Sequence, residues 1–345
     1  MATLPDTWHA LSRILLGDPK FTASEVAQQS GVDLEQARRL WTALGFPPIP
    51  DSERVFTRSD VAMLAGVCRL LTALDGATDV VLQLTRVTGQ ALARIAEAQV
   101  ATTAEQLDLS KIAAEPDRIA ERLIAGFQPL LPTLEPFLGY VWRRHLLAAM
   151  LRVAVAGSTD TTRPGALAVG FADLVGFTAI SQQLDEKELA SMVDRFEALA
   201  YEQIMERGGR VVKMIGDEVM FSADAAAVAA EMGLALVDTY ARDSALPEVR
   251  VGLAYGPALS FEGDLFGPTV NLASRLVNIA RPGTMLVSDD LAMQLQGIST
   301  LTLRSLRPLQ LKGIGRTHVW VLRPAPGAAH GQSDVERPRR PVTRL

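Results

Sequence analysis

The segment Phe171-Ala-Asp-Leu-Val-Gly-Phe-Thr178 decides the fold class of the second half of this chain. It extends an apolar run that begins at Ala166, has the length of a strand, and reaches Asp173 just before a turn that contains glycine. An aspartate at the end of a strand is well placed to hold a hard cation, and the N–H groups of the following turn can bind phosphate oxygens. On its own the motif is weak, because an aspartate in this position is more often a cap.

A second segment, Val211-Val-Lys-Met-Ile-Gly-Asp-Glu-Val-Met-Phe221, predicts a hairpin, since two strand-like runs flank Gly216-Asp217. If the strand that carries Asp173 lies beside this hairpin, Asp173 and Asp217 face each other. Two carboxylates at such a distance repel unless a divalent cation lies between them. Lys213 is surrounded by apolar residues in this segment, so its charge needs a partner.

A third segment runs from Asp264 to Arg275 and predicts a helix that begins at Pro268, because proline is favoured in the first turn. Asn271 and Arg275 are four residues apart and therefore project from one face of this helix. Such a pair is commonly part of a solvated surface. The rest of the helix is apolar, however, which favours a position facing a cleft.

Around these segments, helix patterns alternate with strand patterns. Helices are predicted at 185–207 and 225–240, and strands at 248–258, 284–288 and within 301–322. This interleaving indicates a domain of mixed helices and strands.

The first half of the chain predicts only helices, interrupted by proline and glycine, including the prolines of 129–136. Helical periodicity is clearest at 62–74, 80–98, 116–127 and 140–155. A polar stretch with proline and glycine then marks a boundary, and a tail rich in proline, glycine and charge predicts disorder. The predicted order is a helical domain at 1–156, a linker at 157–165, a catalytic domain at 166–323 and a disordered tail at 324–345.

Composition excludes several classes of function. The chain has 345 residues, is 48% hydrophobic and carries a net charge of −5, so no general basic surface for nucleic acid is expected. The single cysteine, Cys68, predicts a buried thiol rather than a disulfide and favours a reducing compartment. No apolar run is long enough to span a membrane and no secretory signal is recognisable, so a cytoplasmic location is expected.

The three segments together resemble the class III nucleotidyl cyclases over residues 165–323. The resemblance implies an α+β ferredoxin-like catalytic domain with a βαββαβ core, preceded here by an all-α regulatory domain. It also implies an adenylate cyclase that converts ATP to 3′,5′-cyclic AMP and pyrophosphate. In this family the site forms at a homodimer interface, so a monomer is expected to be inactive.

The resemblance assigns a role to each matching residue. Asp173 and Asp217 match the ligands of two Mg²⁺ or Mn²⁺ ions per active site. Lys213 and Asp264 match the residues that recognise adenine, where guanylyl cyclases typically carry Glu and a smaller residue such as Cys. Asn271 and Arg275 match the pair that acts on the transition state.

Phosphate recognition is assigned to two further regions. Backbone groups of Val175, Gly176 and Phe177, with the Thr178 hydroxyl, are expected to hold phosphate. Lys312, within Leu311-Lys-Gly-Ile-Gly315, resembles a lysine that reaches the terminal phosphates.

The first half is similar to that of mycobacterial-type cyclases whose helical domain responds to pH, and some such domains bind fatty acid. His145, on the helix that leads towards the linker, is the candidate pH sensor. A surface histidine without a role is the alternative interpretation of His145. A fatty-acid ligand rests on the family resemblance alone.

Two other functions are weighed against this interpretation. Residues 21–41 predict a helix-turn-helix similar to that of MerR proteins, which suggests a DNA-binding regulator that uses a cyclase-like domain as a nucleotide sensor. Residues 21–70 carry five Lys or Arg against six Asp or Glu, which disfavours DNA as a partner. The Ile-Gly-Asp-Glu-Val sequence also resembles a GGDEF-type diguanylate cyclase, but the second glycine of that motif is missing.

Overall fold

A computed structural model describes residues 6–107, 116–155 and 165–326. The chain divides into two compact units, Met1–Thr159 and Asp160–Leu345, which we call the helical unit and the catalytic unit. Most of the predicted linker (157–164) and of the predicted disordered tail (327–345) lies outside the described residues. No helix among the described residues is long and apolar enough to cross a membrane.

The described residues of the helical unit form helices and no named strand, as predicted. The helices are α1 (Asp6–Leu16), α2 (Ala23–Ser30), α3 (Leu34–Ala43), α4 (Arg58–Ala73), α5 (Thr78–Gln106), α6 (Pro116–Phe127) and α7 (Leu131–Val155). Its core cluster joins α2 to α5, with Val26, Ala37, Leu64 and Val81 fully buried. Cys68 is free and only half-buried, so the prediction of a buried thiol is met in part.

The predicted helix-turn-helix is present, and local sequence explains both of its helices. Thr22 and Glu25 form a capping box at the start of α2, and Gly31 ends that helix at φ 73°, a backbone conformation that favours glycine. Asp33 then caps α3 by accepting from the N–H groups of Glu35 and Gln36.

The breaks predicted at 129–136 are wrong in part, because α7 begins at Leu131 and contains Pro136. Pro132 lies in the first turn, where the missing N–H has no partner to lose, and Pro136 removes one internal hydrogen bond. Much of α7 is exposed despite its apolar sequence. Its exposed large apolar side chains are Phe137, Tyr140, Trp142, Leu146, Leu147, Met150, Leu151 and Val153.

The catalytic unit alternates strands and helices. Its strands are β1 (Ala166–Leu174), β2 (Arg210–Ile215), β3 (Glu218–Ala223), β4 (Val249–Pro257), β5 (Leu259–Phe261), β6 (Asp264–Phe266), β7 (Met285–Ser288), β8 (Leu301–Ser305), β9 (Leu309–Leu311), β10 (Gly315–Thr317) and β11 (Val319–Pro324). Its helices are α8 (Phe177–Ser181), α9 (Glu186–Met205), α10 (Ala226–Arg242), α11 (Pro268–Ile279) and α12 (Asp289–Gln294).

The central sheet has seven strands in the order β2-β3-β1-β4-β7-β11-β8. The pairs β2–β3, β3–β1 and β1–β4 are antiparallel, α9 connects β1 to β2, and α10 connects β3 to β4. This βαββαβ connection with strand order β4-β1-β3-β2 confirms the predicted ferredoxin-like core. Strand β7 pairs in parallel with β4 and extends the sheet.

The two faces of the sheet are buried differently because alternate residues of a strand point to opposite faces. One face packs against α9 and α10 through a large cluster that includes Leu174, Phe221 and Val251. The other face packs against α11 through a smaller cluster that includes Phe171 and Met220. At one end of this face the apolar cluster stops, and the polar residues Asp173, Glu218 and Arg250 follow.

Candidate active site

The two aspartates expected to bind metal lie on segments that are adjacent in space. Asp173 is the penultimate residue of β1, and Asp217 lies in the turn between β2 and β3, where Gly216 has φ 63°. The N–H of Leu174 donates to the carbonyl of Asp217 at 3.0 Å, which fixes this turn against the end of β1. Both aspartates therefore lie at the same end of the central sheet, Asp173 on an interior strand and Asp217 in the adjoining turn.

A row of charged residues crosses the sheet at this end. Asp173 pairs with Glu218 on β3 and with Arg250 on β4, so the three side chains share the face that α11 covers. Arg250 donates from Nε to Asp173 Oδ2 at 2.6 Å, and its Nη2 lies 2.5 Å from the same oxygen. Arg250 Nη1 also donates to the carbonyl of Asn278 at 3.1 Å, which connects this row to the end of α11.

The carboxylates of Asp173, Asp217 and Glu218 lie close enough to affect one another's charge, and Asp173 and Glu218 are partly buried. Burial raises the pKa of Asp173, the hydrogen bond from Arg250 opposes this shift, and the charge of Asp217 adds to it. Burial, followed by the charges of Asp173 and Asp217, raises the pKa of Glu218 to about 7. A cation bound here would relieve this repulsion.

The chemistry of these donors fits a hard divalent cation. Carboxylate oxygens are the ligands that Mg²⁺ and Mn²⁺ prefer, and such ions are commonly held by one or two carboxylates together with substrate phosphates. Among the described residues, no group of three or more His, Cys, Asp or Glu side chains forms a complete metal site. Asp173 and Asp217 would therefore supply part of the coordination sphere.

The turn after β1 leads into α8. Gly176 has φ 77° and is the N-terminal cap of this helix, which begins at Phe177. Gly176 and Thr178 are exposed. The N–H of Val175 donates to the carbonyl of Glu248 at 2.9 Å. The expectation that Val175 binds phosphate through this group is therefore wrong, because the N–H is already occupied.

The structure brings Lys213 and Asp264 together. Lys213 Nζ lies 2.5 Å from Asp264 Oδ2, which supplies the partner that the sequence required for this lysine. The other carboxylate oxygen of Asp264 accepts from the N–H of Leu265 at 2.7 Å. Both side chains remain partly exposed, 39% for Lys213 and 26% for Asp264. Asp264 is positioned by a short hairpin of β5 and β6 that the sequence analysis did not predict.

Asn271 and Arg275 lie on α11, as predicted, and both side chains are exposed. Helix α11 lies very close to β4 at Gly252. A Cβ at this position would come within 2.2 Å of the Val277 nitrogen, so only glycine fits there. Within the described part of the chain, no hydrogen bond or ion pair involves the side chain of Asn271 or Arg275. Both are therefore available to a ligand or to another chain.

The two remaining predicted residues, Lys312 and His145, lie on other elements. Lys312 is exposed in the turn between β9 and β10, which form a separate two-stranded sheet. His145 is exposed on α7 of the helical unit. Neither makes an ion pair with another described residue.

Sequence reasoning missed Arg250 and left Glu218 without a role. A signal was present for Arg250, since it is the one charged residue in the otherwise apolar run Val249–Leu253. A charge on a strand in the middle of a sheet needs a partner, and here that partner is Asp173. The register that aligns the two residues could not be read from the sequence.

Comparison with known proteins identifies the two domains. Residues 160–324 match the adenylate and guanylate cyclase catalytic domain, and residues 3–154 match the adenylate cyclase regulatory domain. An adenylate cyclase of Streptomyces coelicolor is 41% identical over 83% of this chain and 74% of its own length. One from Glutamicibacter nicotianae is 34% identical over 94% of this chain and 84% of its own.

A pH-sensitive adenylate cyclase of Mycobacterium tuberculosis is 31% identical over 81% of this chain and 71% of its own length. The DNA-binding and GGDEF-type alternatives gain no support. A catalytic domain of this kind implies a nucleotide substrate and a dependence on divalent metal. The chain belongs to the adenylate cyclases with a class III catalytic domain, and it is a lyase that forms cyclic AMP.

Proposed function

We propose that the site converts ATP to 3′,5′-cyclic AMP and pyrophosphate at an interface between two copies of this chain, with the residue roles that follow. One observation carries the proposal: the carboxylates at the end of β1, the Lys213–Asp264 pair and the unpaired Arg275 occur in one unit. In the reaction, the ribose 3′-oxygen attacks the α-phosphorus, the bond to the β-phosphate oxygen breaks, and the 3′-hydroxyl proton is lost. Catalysis of this reaction is mainly positioning and stabilisation of charge.

Asp173 and Asp217 hold two Mg²⁺ or Mn²⁺ ions in this proposal. When bound, such ions lower the pKa of the attacking hydroxyl and neutralise phosphate charge. Arg250 donates a hydrogen bond to the Asp173 carboxylate, so the guanidinium holds that side chain in place at the end of β1.

Lys213 and Asp264 select the base. The lysine donates to a ring nitrogen of adenine, and the aspartate accepts from the exocyclic amine. Guanine presents the opposite pattern of donors and acceptors at these positions. The mutual contact of the two side chains supports this role, since it holds a donor and an acceptor side by side before the base arrives.

Arg275 stabilises the charge that develops on the α-phosphate, and Asn271 orients the ribose. The exposure of both side chains supports these roles, because neither has to leave a partner in order to reach the substrate. A contact made only in the transition state is worth about 3–4 kcal/mol. Gly176, Phe177 and Thr178 are proposed to bind phosphate, and Lys312 to reach the terminal phosphates.

The functional assembly is proposed to be a homodimer with two equivalent sites. One chain supplies the metal aspartates, and its partner supplies the base-recognising pair with Asn271 and Arg275. The exposed apolar side chains of α7 also support a second copy, since Trp142, Leu146 and Met150 lie at spacings of four on one helix face. A substrate as abundant inside cells as ATP favours a cytoplasmic location.

Regulation is proposed to come from the helical unit. The pH-sensitive relative supports a pH response, and His145 is the candidate sensor because histidine is the residue type that commonly changes charge near physiological pH. A cavity of about 530 Å³ in this unit, lined in part by Trp41, Phe46 and Phe56, could hold the acyl chain of a fatty acid. Direct binding of a long-chain fatty acid to the full chain, measured by calorimetry, tests that ligand; no heat at micromolar concentrations would remove it.

The basic experiment incubates the purified full chain with ATP or GTP and Mn²⁺ and measures both cyclic nucleotides. We expect cyclic AMP from ATP, and loss of this product in Asp173→Asn. Asp194→Asn, which neutralises an exposed carboxylate on α9, is the matched control and should retain activity. No product from the wild-type chain, or equal product from Asp173→Asn, would contradict the proposal.

A further inference from the structure

A β-bulge in β2 places two cations on one face of the sheet. Arg210 pairs with Ser222 and Lys213 pairs with Met220, and the register shifts between Val211 and Lys213. Residues three apart on a regular strand point to opposite faces, because side chains alternate with period two. The extra residue in the bulge removes this alternation, so Arg210 and Lys213 point to the same side.

Both cations contact the same hairpin. Lys213 binds Asp264 on β6, and Arg210 Nη2 donates to the carbonyl of Gly263 at 2.5 Å. Gly263 immediately precedes Asp264 and belongs to the two-residue turn between β5 and β6. The hairpin that carries Asp264 is therefore held to β2 at two adjacent residues.

The turn is one that needs external support. Glu262 has φ 54° and Gly263 has φ 82°, as required by the hairpin turn with two left-handed residues. Glycine adopts this conformation readily, whereas it is strained for glutamate and persists only where the surroundings enforce it. Each strand of this hairpin has three residues, so few ladder hydrogen bonds hold the turn in place.

We propose that Arg210 is a positioning residue for base recognition, which acts by holding the Gly263 carbonyl so that Asp264 presents its carboxylate to the adenine amine. The inference rests on the proposed role of Asp264 and adds a residue that no sequence match assigned. Arg210 does not touch the base. It sets how accurately the acceptor of the 6-amino group is placed.

The test compares ATP with its analogue that lacks the 6-amino group, purine riboside triphosphate. The readout is the ratio of the two kcat/KM values, since a site built to accept from the amine discriminates against a substrate without it. Arg210→Met keeps the length of the aliphatic stem and removes the donor, and we expect it to lower this ratio about threefold to tenfold. The loss should come mainly from a higher KM for ATP.

Two controls separate positioning from general folding. Arg210→Lys retains a cationic donor and should recover most of the ratio. Arg242→Met removes an exposed arginine of α10 that pairs with Asp238 at 2.7 Å, and should leave the ratio unchanged. Equal losses of kcat/KM for both nucleotides in Arg210→Met, or an unchanged ratio in both Arg210 variants, would overturn the inference.

Asp264→Ala, which removes the acceptor, distinguishes the two levels of the claim. If it lowers the ratio while both Arg210 variants do not, only the inference on Arg210 is overturned. If Asp264→Ala itself leaves the ratio unchanged, the proposed recognition of adenine fails, and the role of Arg210 fails with it. When both hold, Arg210→Met should add no further loss in an Asp264→Ala background.

Discussion

The catalytic and helical units differ in how their charges are paired and how their apolar side chains are buried. In the catalytic unit both faces of the sheet are covered by helices, and the key charges are paired across strands, as in Asp173–Arg250 and Lys213–Asp264. In the helical unit the buried cluster is confined to α2 to α5, while α7 exposes large side chains such as Trp142 at 62%.

This difference indicates a division of labour. The catalytic unit pairs the charges of Asp173 and Lys213 before any ligand is bound, whereas the side chains of Asn271 and Arg275 have no partner among the described residues. The helical unit instead exposes large apolar side chains on α7. Substitutions of the proposed site residues in the catalytic unit should therefore change catalysis strongly, whereas substitutions on α7 should change regulation or assembly.

The largest effect is expected at the turn between β2 and β3. Asp217→Asn should lower the rate of cyclic AMP formation by at least about 100-fold, since it removes a charged oxygen ligand. The melting temperature should not fall, because the substitution removes one negative charge from a repelling group. Asp224→Asn, at the other end of β3, is the control and should be fully active.

A similar loss is expected on α11. Arg275→Ala should lower kcat about 100-fold to 1000-fold with little change in KM for ATP, because its contact forms in the transition state. Steady-state kinetics checks this, with Arg281→Ala as a nearby exposed control. A change in KM alone would instead assign Arg275 to ground-state binding.

A smaller effect concerns stability rather than rate. The pKa of Glu218 is raised to about 7, so the folded protein holds a proton that the unfolded chain has lost. Ionisation of Glu218 therefore lowers the free energy of unfolding. This destabilisation is absent below about pH 4, grows as the pH rises towards 7, and is complete above pH 7.

Glu218→Gln should stabilise the metal-free chain at pH 8 by about 1–3 kcal/mol and leave it unchanged at pH 4.5. Thermal melts with a chelator at both pH values measure this difference. Equal stabilisation at both would exclude ionisation of Glu218 as its cause.

The smallest effect is expected in the helical unit. His145→Gln should reduce the variation of activity between pH 5.5 and 8 by a few-fold at most, since this histidine is exposed and acts from outside the catalytic unit. His318→Gln, an exposed histidine of the catalytic unit, is the matched control. An unaltered pH profile in His145→Gln would eliminate it as the sensor.

The sequence predicted the elements that depend on local pattern. The β2–β3 hairpin follows from apolar runs around Gly216-Asp217, and α9 from the helix pattern predicted at 185–207. Helices α2 and α3 follow from the helix-turn-helix pattern of 21–41, and the structure adds the caps at Thr22 and Asp33.

Features that depend on register were not predicted. Arg250 meets Asp173 only because β4 pairs with β1 in one particular alignment, and the bulge in β2 has no clear sequence signature. The β5–β6 hairpin was missed because its strands have three residues each, too few to show alternation.

The central claim, that each site is built from two chains, is tested most directly by mixing two inactive variants. Asp173→Asn and Arg275→Ala are purified separately, combined in equal amounts, and assayed for cyclic AMP. If subunits exchange at random, half of the dimers contain both variants and each of these has one intact site. We expect recovery of about one quarter of wild-type activity. No recovery, with subunit exchange verified by differently tagged chains, would contradict it.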